Sequence, residues 1–201
     1  MARLTSPAPA ALFEAGDGQT PLDPDDAEGL LLDIDTRREL NDAEELNIQQ
    51  GIRWGQRRVR RENPLDLVFA RELHRRMFGR VWRWAGSFRT TATNIGVDAV
   101  HIATATQELI GNTLYWIEHK TWRDDAELFA RFHHRLVQIH CFPNGNGRHA
   151  RALTDLVMLK FGVTPFEWGA SLGAASRTQY IASLRAADAG NFERLIEFVR
   201  R

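Results

Sequence analysis

The 201-residue chain holds one cysteine, Cys141, so no internal disulfide can staple its fold. Net charge is missing as well. Twenty-six Lys and Arg balance 26 Asp and Glu, which removes the global field that would draw the chain to nucleic acid or to an anionic membrane surface. No window holds the roughly 20 consecutive apolar residues a membrane span needs, and no internal repeat recurs. Residues 1–18 carry no apolar run behind a basic cluster, so a secretory leader is not expected and the cytoplasm is the expected compartment. What is present is 43% hydrophobic residues, enough for one sizeable domain with its own core.

In residues 1–24, Pro7, Pro9, Pro21 and Pro24 interrupt any long helix, and the stretch reads as an irregular N-terminal arm. Asp25, Asp26 and Glu28 put negative charge where a short helix would begin, ahead of Leu30, Leu31, Leu32 and Ile34. Asn41 followed by Glu44 predicts a capping box, opening a helix lined by Ile48, Ile52 and Val59 with Leu46 off the stripe. Arg57, Arg58, Arg60 and Arg61 close it. Such a run suits a nucleic-acid patch or a helix C-terminus, and the balanced net charge favours the second. Pro64 opens a further helix, with Leu67, Val68, Leu73, Met77 and Phe78 before Gly79. Thr90 to Ile102 is rich in Thr, Val and Ile, with Asn94, Gly96 and Asp98 able to turn the chain, and predicts a β-hairpin. Helices are expected over residues 103–120, from Asp124 onward, over 177–187, and after Asn191.

The chemistry is expected between His140 and Arg151. Leu128, Phe129, Phe132, Leu136 and Ile139 recur at three- and four-residue spacing, so a rigid amphipathic helix ends at His140. Pro143 stops it near Cys141 or Phe142. Gly145 and Gly147 around Asn146 allow left-handed backbone that turns successive N–H groups into one concavity, a nest for anions. A second helix follows, and its first turn offers unpaired N–H groups and a positive dipole end. Arg148 and Arg151, three apart, add two guanidinium forks suited to phosphates. A neutral imidazole beside them could take a proton from an attacking hydroxyl. Base, nest and paired arginines describe phosphoryl or nucleotidyl transfer. Taken singly, the histidine reads equally as a helix cap and each arginine as a solvated side chain. A thiol-nucleophile role for Cys141 is disfavoured, since adjacent helical residues point in different directions. A zinc site near His133 and His134 lacks a second ligand pair at metal spacing.

This stretch resembles the Fic family signature, His-x-Phe-x-Asp/Glu-Gly-Asn-Gly-Arg-x-x-Arg, agreeing at His140, Phe142, Gly145, Asn146, Gly147, Arg148 and Arg151. It departs at Asn144, where the family carries an acidic ligand for Mg²⁺; a neutral amide oxygen is the weaker ligand for so hard a cation. The Pro-Asn variant is similar to the Fic subgroup called "mobile mystery protein B", whose name carries the expectation of a bacterial mobile element. Trp-Ala-Gly-x-Phe-Arg at 84–89 resembles the segment that leads into the Fic flap. Glu28-Gly29 resembles the end of the family's inhibitory motif, Ser/Thr-x-x-x-Glu-Gly/Asn, with Pro24 where Ser or Thr belongs. Glu39, preceded by Thr36, competes for that role, and an ordinary acidic N-terminal turn explains Glu28 as well.

The resemblance implies a mainly α Fic-type helical bundle with one β-hairpin flap. Its divisions would be the arm at 1–24, a candidate inhibitory helix at 25–40 and the Fic core at 41–201. It implies transfer of AMP from ATP, with Mg²⁺, to a Ser, Thr or Tyr hydroxyl of a target protein. His140 would be the base. Phe142, Gly145, Asn146, Gly147, Arg148 and Arg151 would form the nucleotide site, and Asn144 a weak metal ligand. Thr93, Asn94, Ile95, Gly96 and Val97 would hold the target by strand addition. An antitoxin or regulatory partner is a further expectation of the family; a membrane or nucleic-acid partner is not expected. The alternatives are a nucleotide-binding regulatory module with little turnover, removal of AMP with Glu28 as the carboxylate that activates water, and transfer of another phosphate-containing group.

Overall fold

Described by the structure, a computed structural model, are residues 27–201; the expected arm at 1–24, with Asp25 and Asp26, lies outside them. Among the described residues are seven α-helices: α1 (Arg37–Arg58), α2 (Leu67–Phe78), α3 (Ile102–His119), α4 (Asp125–Ile139), α5 (Asn146–Lys160), α6 (Ser176–Asp188) and α7 (Glu193–Val199). Most of these bounds fall within a few residues of the predicted ones. The polar caps set several of them. Asp66 and Asp124 each accept from the backbone N–H three residues on, at 2.9 Å, and so satisfy a donor the helix itself leaves unpaired.

Helix α1 begins a turn before the predicted capping box. Thr36 accepts from the Glu39 N–H at 3.2 Å and the Glu39 carboxylate accepts from the Thr36 N–H at 3.0 Å, so this earlier pair makes the reciprocal bonds. Asn41 is left inside the helix and Glu44 on its buried face. The expected boundary between residues 40 and 41 therefore falls within a continuous helix.

Helices α1 and α2 lie antiparallel. The Asn47 amide donates to the Arg76 carbonyl and accepts from the Arg80 N–H, both at 2.9 Å, while Trp54 meets Phe69 near the other end of α2. Gly51 sets their separation: a Cβ there would meet the Met77 backbone N at 2.7 Å and Cα at 2.8 Å. Helix α4 packs between α3 and α5, and α5 also touches α1 and α2. The main core gathers Leu40, Leu73, Met77, Phe78, Trp82, Phe129, Phe132, Phe142 and Leu156. A second cluster, with Tyr180, Leu195, Ile196 and Val199, joins α6 and α7 to Ala130 on α4. The consequence is that α4 and α5, with the turn joining them, are held from several sides.

No strand forms among the described residues, and the β-hairpin expected over 90–102 is replaced by irregular chain followed by a short helical turn at Ala99–His101. The reason lies in where its polar groups go. The Thr91 and Val97 carbonyls accept from the Arg89 guanidinium and the Val97 N–H donates to the Ile139 carbonyl, so they make no cross-strand ladder. Strand propensity there is outweighed by one buried cation. A single antiparallel bridge, Leu30 with Trp82, is the β-pairing among the described residues. No helix among them is long and apolar enough to cross a membrane.

Replacing Gly51 with alanine should lower stability by roughly 2 kcal/mol in chemical denaturation. Backbone contact with Met77 outweighs the gain in helix propensity of about 1 kcal/mol; an increase in stability would show that α1 and α2 are not in the close contact described.

Candidate functional site

Helix α4 ends at Ile139, and His140 takes a left-handed conformation, φ 54° and ψ 62°, with its N–H on the Leu136 carbonyl at 3.4 Å. This backbone is uncommon for a residue with a side chain and persists where neighbours over-determine it. Arg89 is that neighbour. It is 3% exposed, and its guanidinium donates to the His140 carbonyl at 2.7 Å and also to the carbonyls of Thr91, Val97 and Ile139. Its own N–H donates to the Cys141 carbonyl at 3.0 Å. Residues 89–97 are thus bonded to residues 139–141, and Gly96 lies over the histidine, where a Cβ would sit 2.9 Å from the His140 Cβ.

After His140, the chain is fixed by buried groups. Phe142 stacks on His74 with ring centroids 3.7 Å apart. The His74 ring accepts from the Gly86 N–H at Nδ1 (3.0 Å), which leaves Nε2 to donate to the Asn144 carbonyl at 3.1 Å. The Asn146 side chain accepts from the Phe142 N–H at 2.9 Å and donates to the Phe142 carbonyl at 2.7 Å, closing the turn on itself. Gly145, φ 77°, could carry no side chain, because a Cβ would strike the Phe78 ring at 2.5 Å. Phe142 and the Asn146 amide therefore shape the turn, while the backbone of Asn146, Gly147 and Arg148 forms the first turn of α5.

The two arginines meet different neighbours. The Arg148 Nη1 donates to Oε2 of Glu44 at 2.6 Å, and its guanidinium carbon lies 5.0 Å from the Phe78 ring centroid. That of Arg151 lies 5.3 Å from the Tyr180 ring, towards α6. Glu44, 3% exposed, also accepts from Trp82 Nε1 at 2.7 Å, so its buried carboxylate is charge-paired and hydrogen-bonded. Glu28 lies exposed in a turn, and Glu39 serves its capping box. Arg89, Glu44 and His74 are among the site's residues that the sequence does not mark as such. Glu44 had a signal in its phase, four after Leu40 and four before Ile48 on the buried face; Arg89 closes the Trp-Ala-Gly-x-Phe-Arg segment.

Burial governs the titration of the site. It lowers the His140 pKa to about 4, helped by the Arg89 charge and opposed by the Val137 carbonyl, so the imidazole is neutral at pH 7 and able to accept a proton. Burial pushes the Cys141 thiol up to about 11, which removes it as a nucleophile at neutral pH. Asn144 fits a bound Mg²⁺ poorly: its neutral Oδ1 already accepts from the Gly145 N–H at 2.6 Å. Among the described residues no group of three His, Cys, Asp or Glu is placed to hold a metal.

Residues 64–158 match the model of the Fic/DOC family. A similar curated relative is the protein adenylyltransferase fic-1 of Caenorhabditis briggsae, 31% identical over 133 residues that cover 65% of this chain and 25% of the relative. The chain thus spans about a quarter of the length of that relative. Fic-1 from C. elegans has a similar solved structure, with TM-score 0.60 at 25% identity, covering 86% of this chain and 55% of that one. The BepC protein of Bartonella tribocorum, solved with bound AMPPNP, has TM-score 0.64 at 16% identity and coverage of 83% and 87%, a likeness of fold.

Two outcomes follow. Arg89→Met leaves several carbonyls without a donor and should cost roughly 2–4 kcal/mol, with faster hydrogen exchange at the Val97 amide; unchanged exchange would remove Arg89 as the clamp. The second concerns acid. His74, His133, His140 and His149 are all lowered chiefly by burial, to about 3 for His133 and about 4 for His140 and His149. The unfolded chain takes up their protons from about pH 6.5 downward while the native chain resists, so their contribution to stability is lost as pH falls from 6.5 towards 4. Asp155, raised by burial to about 6, acts in the opposite sense as one group against four. Denaturation at pH 7 and pH 4.5 should differ by at least about 3 kcal/mol, with the lower pH less stable; equal stabilities would contradict neutral burial of the four rings.

Proposed function

We propose that the chain is a protein adenylyltransferase, moving AMP from ATP to a Ser, Thr or Tyr hydroxyl of a target protein. The observation that carries this is a neutral histidine at the end of α4, separated by one buried turn from the N-terminus of α5 and its signature arginines. The curated relative is named a protein adenylyltransferase, and BepC, of like fold, holds an ATP analogue. The Gly145–Arg148 backbone and the positive end of α5 take the phosphates, and Arg151 takes the terminal one. The target hydroxyl attacks the α-phosphorus in line and passes its proton to the His140 imidazole. The new ester P–O bond forms as the α–β P–O bond breaks, and pyrophosphate leaves. Catalysis here is positioning and charge stabilisation.

Thr93, Asn94, Ile95, Gly96 and Val97 hold the target in this reading. The Thr93–Val97 segment presents a half-exposed Ile95 and crosses His140 at Gly96, so a target segment laid along it brings a hydroxyl towards the imidazole. The residues do not fit a protein-held Mg²⁺, and no step is assigned to one. Residues 25–40 remain the regulatory part of this proposal, and 41–201 the core, with an antitoxin or other regulatory partner acting on the first. In this reading, which the Pro-Asn signature supports, the chain is related to the "mobile mystery protein B" subgroup, encoded on a bacterial mobile element and working in the cytoplasm. A nucleotide-binding module with little turnover is the second reading, favoured by the neutral Asn144 and by the hold of Glu44 on Arg148.

Labelled ATP added with lysate discriminates between them. A protein labelled by the wild-type chain and unlabelled by His140→Ala is the expected result, and Asn144→Asp should raise Mg²⁺-dependent labelling. Saturable ATP binding without labelling would overturn transfer in favour of the module.

A further inference from the structure

Between the second half of α1 and the C-terminal end of α2 lies an open cleft of about 430 Å³, lined by Arg53, Arg57, Arg75, Arg76, Arg80 and Trp54. Asn47 also lines it, and its amide ties α1 to the end of α2. No residue of the His140–Arg151 stretch lines it.

The cleft is electrostatically lopsided in a chain whose charges balance at 26 and 26. One carboxylate, Glu72, serves two of the five arginines, reaching Arg75 Nε at 2.6 Å and Arg76 Nε at 2.7 Å. Arg53, Arg57 and Arg80 are exposed and make no ion pair among the described residues. Favourable ends of helix dipoles account for Arg57, Arg75 and Arg76, which lie in last turns, and for Arg80, one residue past the Gly79 cap, but not for Arg53. Arg53 and Arg57, four apart on one helix, repel each other as well. Such a cluster is relieved by an anion. Guanidinium forks match phosphate oxygens in particular, and the volume lies in the range of small-ligand sites, about 300–1,000 Å³. An extended nucleic-acid strand would call for a longer track with bases stacked on open aromatic faces. Here Trp54 already has Arg58 and Arg76 within 6 Å of its ring.

We infer that this cleft between α1 and α2 is a second anion site, separate from the signature turn, that takes a small polyphosphate, either inorganic or carried on a nucleoside. The inference does not rest on the transfer activity proposed above.

Calorimetric titration of the whole chain with sodium tripolyphosphate, and in parallel with ATP, tests it. In the Arg53→Gln/Arg57→Gln variant tripolyphosphate should bind about tenfold more weakly or not at all, since charge-assisted bonds are lost. Arg151→Ala should keep the wild-type tripolyphosphate affinity at this site. Arg80→Gln, with an unchanged circular dichroism spectrum, should show the same loss as the double variant and separates binding from misfolding. An equal loss for ATP identifies a nucleoside polyphosphate among the ligands; a loss confined to tripolyphosphate identifies the inorganic chain. Unsaturable binding, unchanged affinity in both cleft variants, or displacement of tripolyphosphate by polyglutamate or a single-stranded oligonucleotide at lower concentration would overturn the inference.

Discussion

One buried guanidinium organises the region around the histidine. Arg89 spends its donors on the carbonyls of Thr91, Val97, Ile139 and His140, joining the segment before α3 to the end of α4. A cation removed from water is tolerated when its donors find oxygens, and carbonyl dipoles here do the work a carboxylate does elsewhere. The left-handed backbone of His140, the absence of a strand ladder over 90–98 and the close approach of Gly96 to the His140 Cβ all follow from that arrangement. The same charge also helps to keep the imidazole neutral.

A second constraint comes from outside the stretch that matches the family model. Glu44 on α1 reaches Arg148 on α5 across 104 residues of sequence, and Trp82 completes its hydrogen bonding. Removing Arg148 would leave the buried Glu44 carboxylate without its charge partner, so the contact fixes where α1 meets the first turn of α5. Gly51 and Gly55 bring α1 close enough for this contact, against Met77 and Leu156. The helix that precedes the stretch matched by the family model is therefore part of the architecture of the turn.

Local patterns in the chain carried most of the helices and the turn itself. The three- and four-residue spacing from Leu128 to Ile139 marked α4, Asp124 marked its start, and the two glycines around Asn146 marked the break before α5. Contacts between distant residues were not legible. Glu44 looked like a capping residue because Asn41 stood three before it, whereas Thr36 and Glu39 made the box and freed Glu44 to turn inward. The Thr, Val and Ile content of residues 90–102 pointed to strands, but a partner 51 residues distant in sequence from the His140 carbonyl, the Arg89 side chain, decided the conformation. Seven agreements with a signature pointed to the candidate site; they did not reveal that its two arginines face different helices.

The central claim is that the turn between α4 and α5 cradles a polyphosphate within reach of the His140 imidazole. A crystal structure of the chain with a non-hydrolysable ATP analogue tests it most directly. The account predicts phosphate oxygens on the backbone N–H groups of Gly145–Arg148, with the α-phosphorus facing the His140 ring and residues 93–97 alongside. A nucleotide bound elsewhere, with that turn empty, would contradict it.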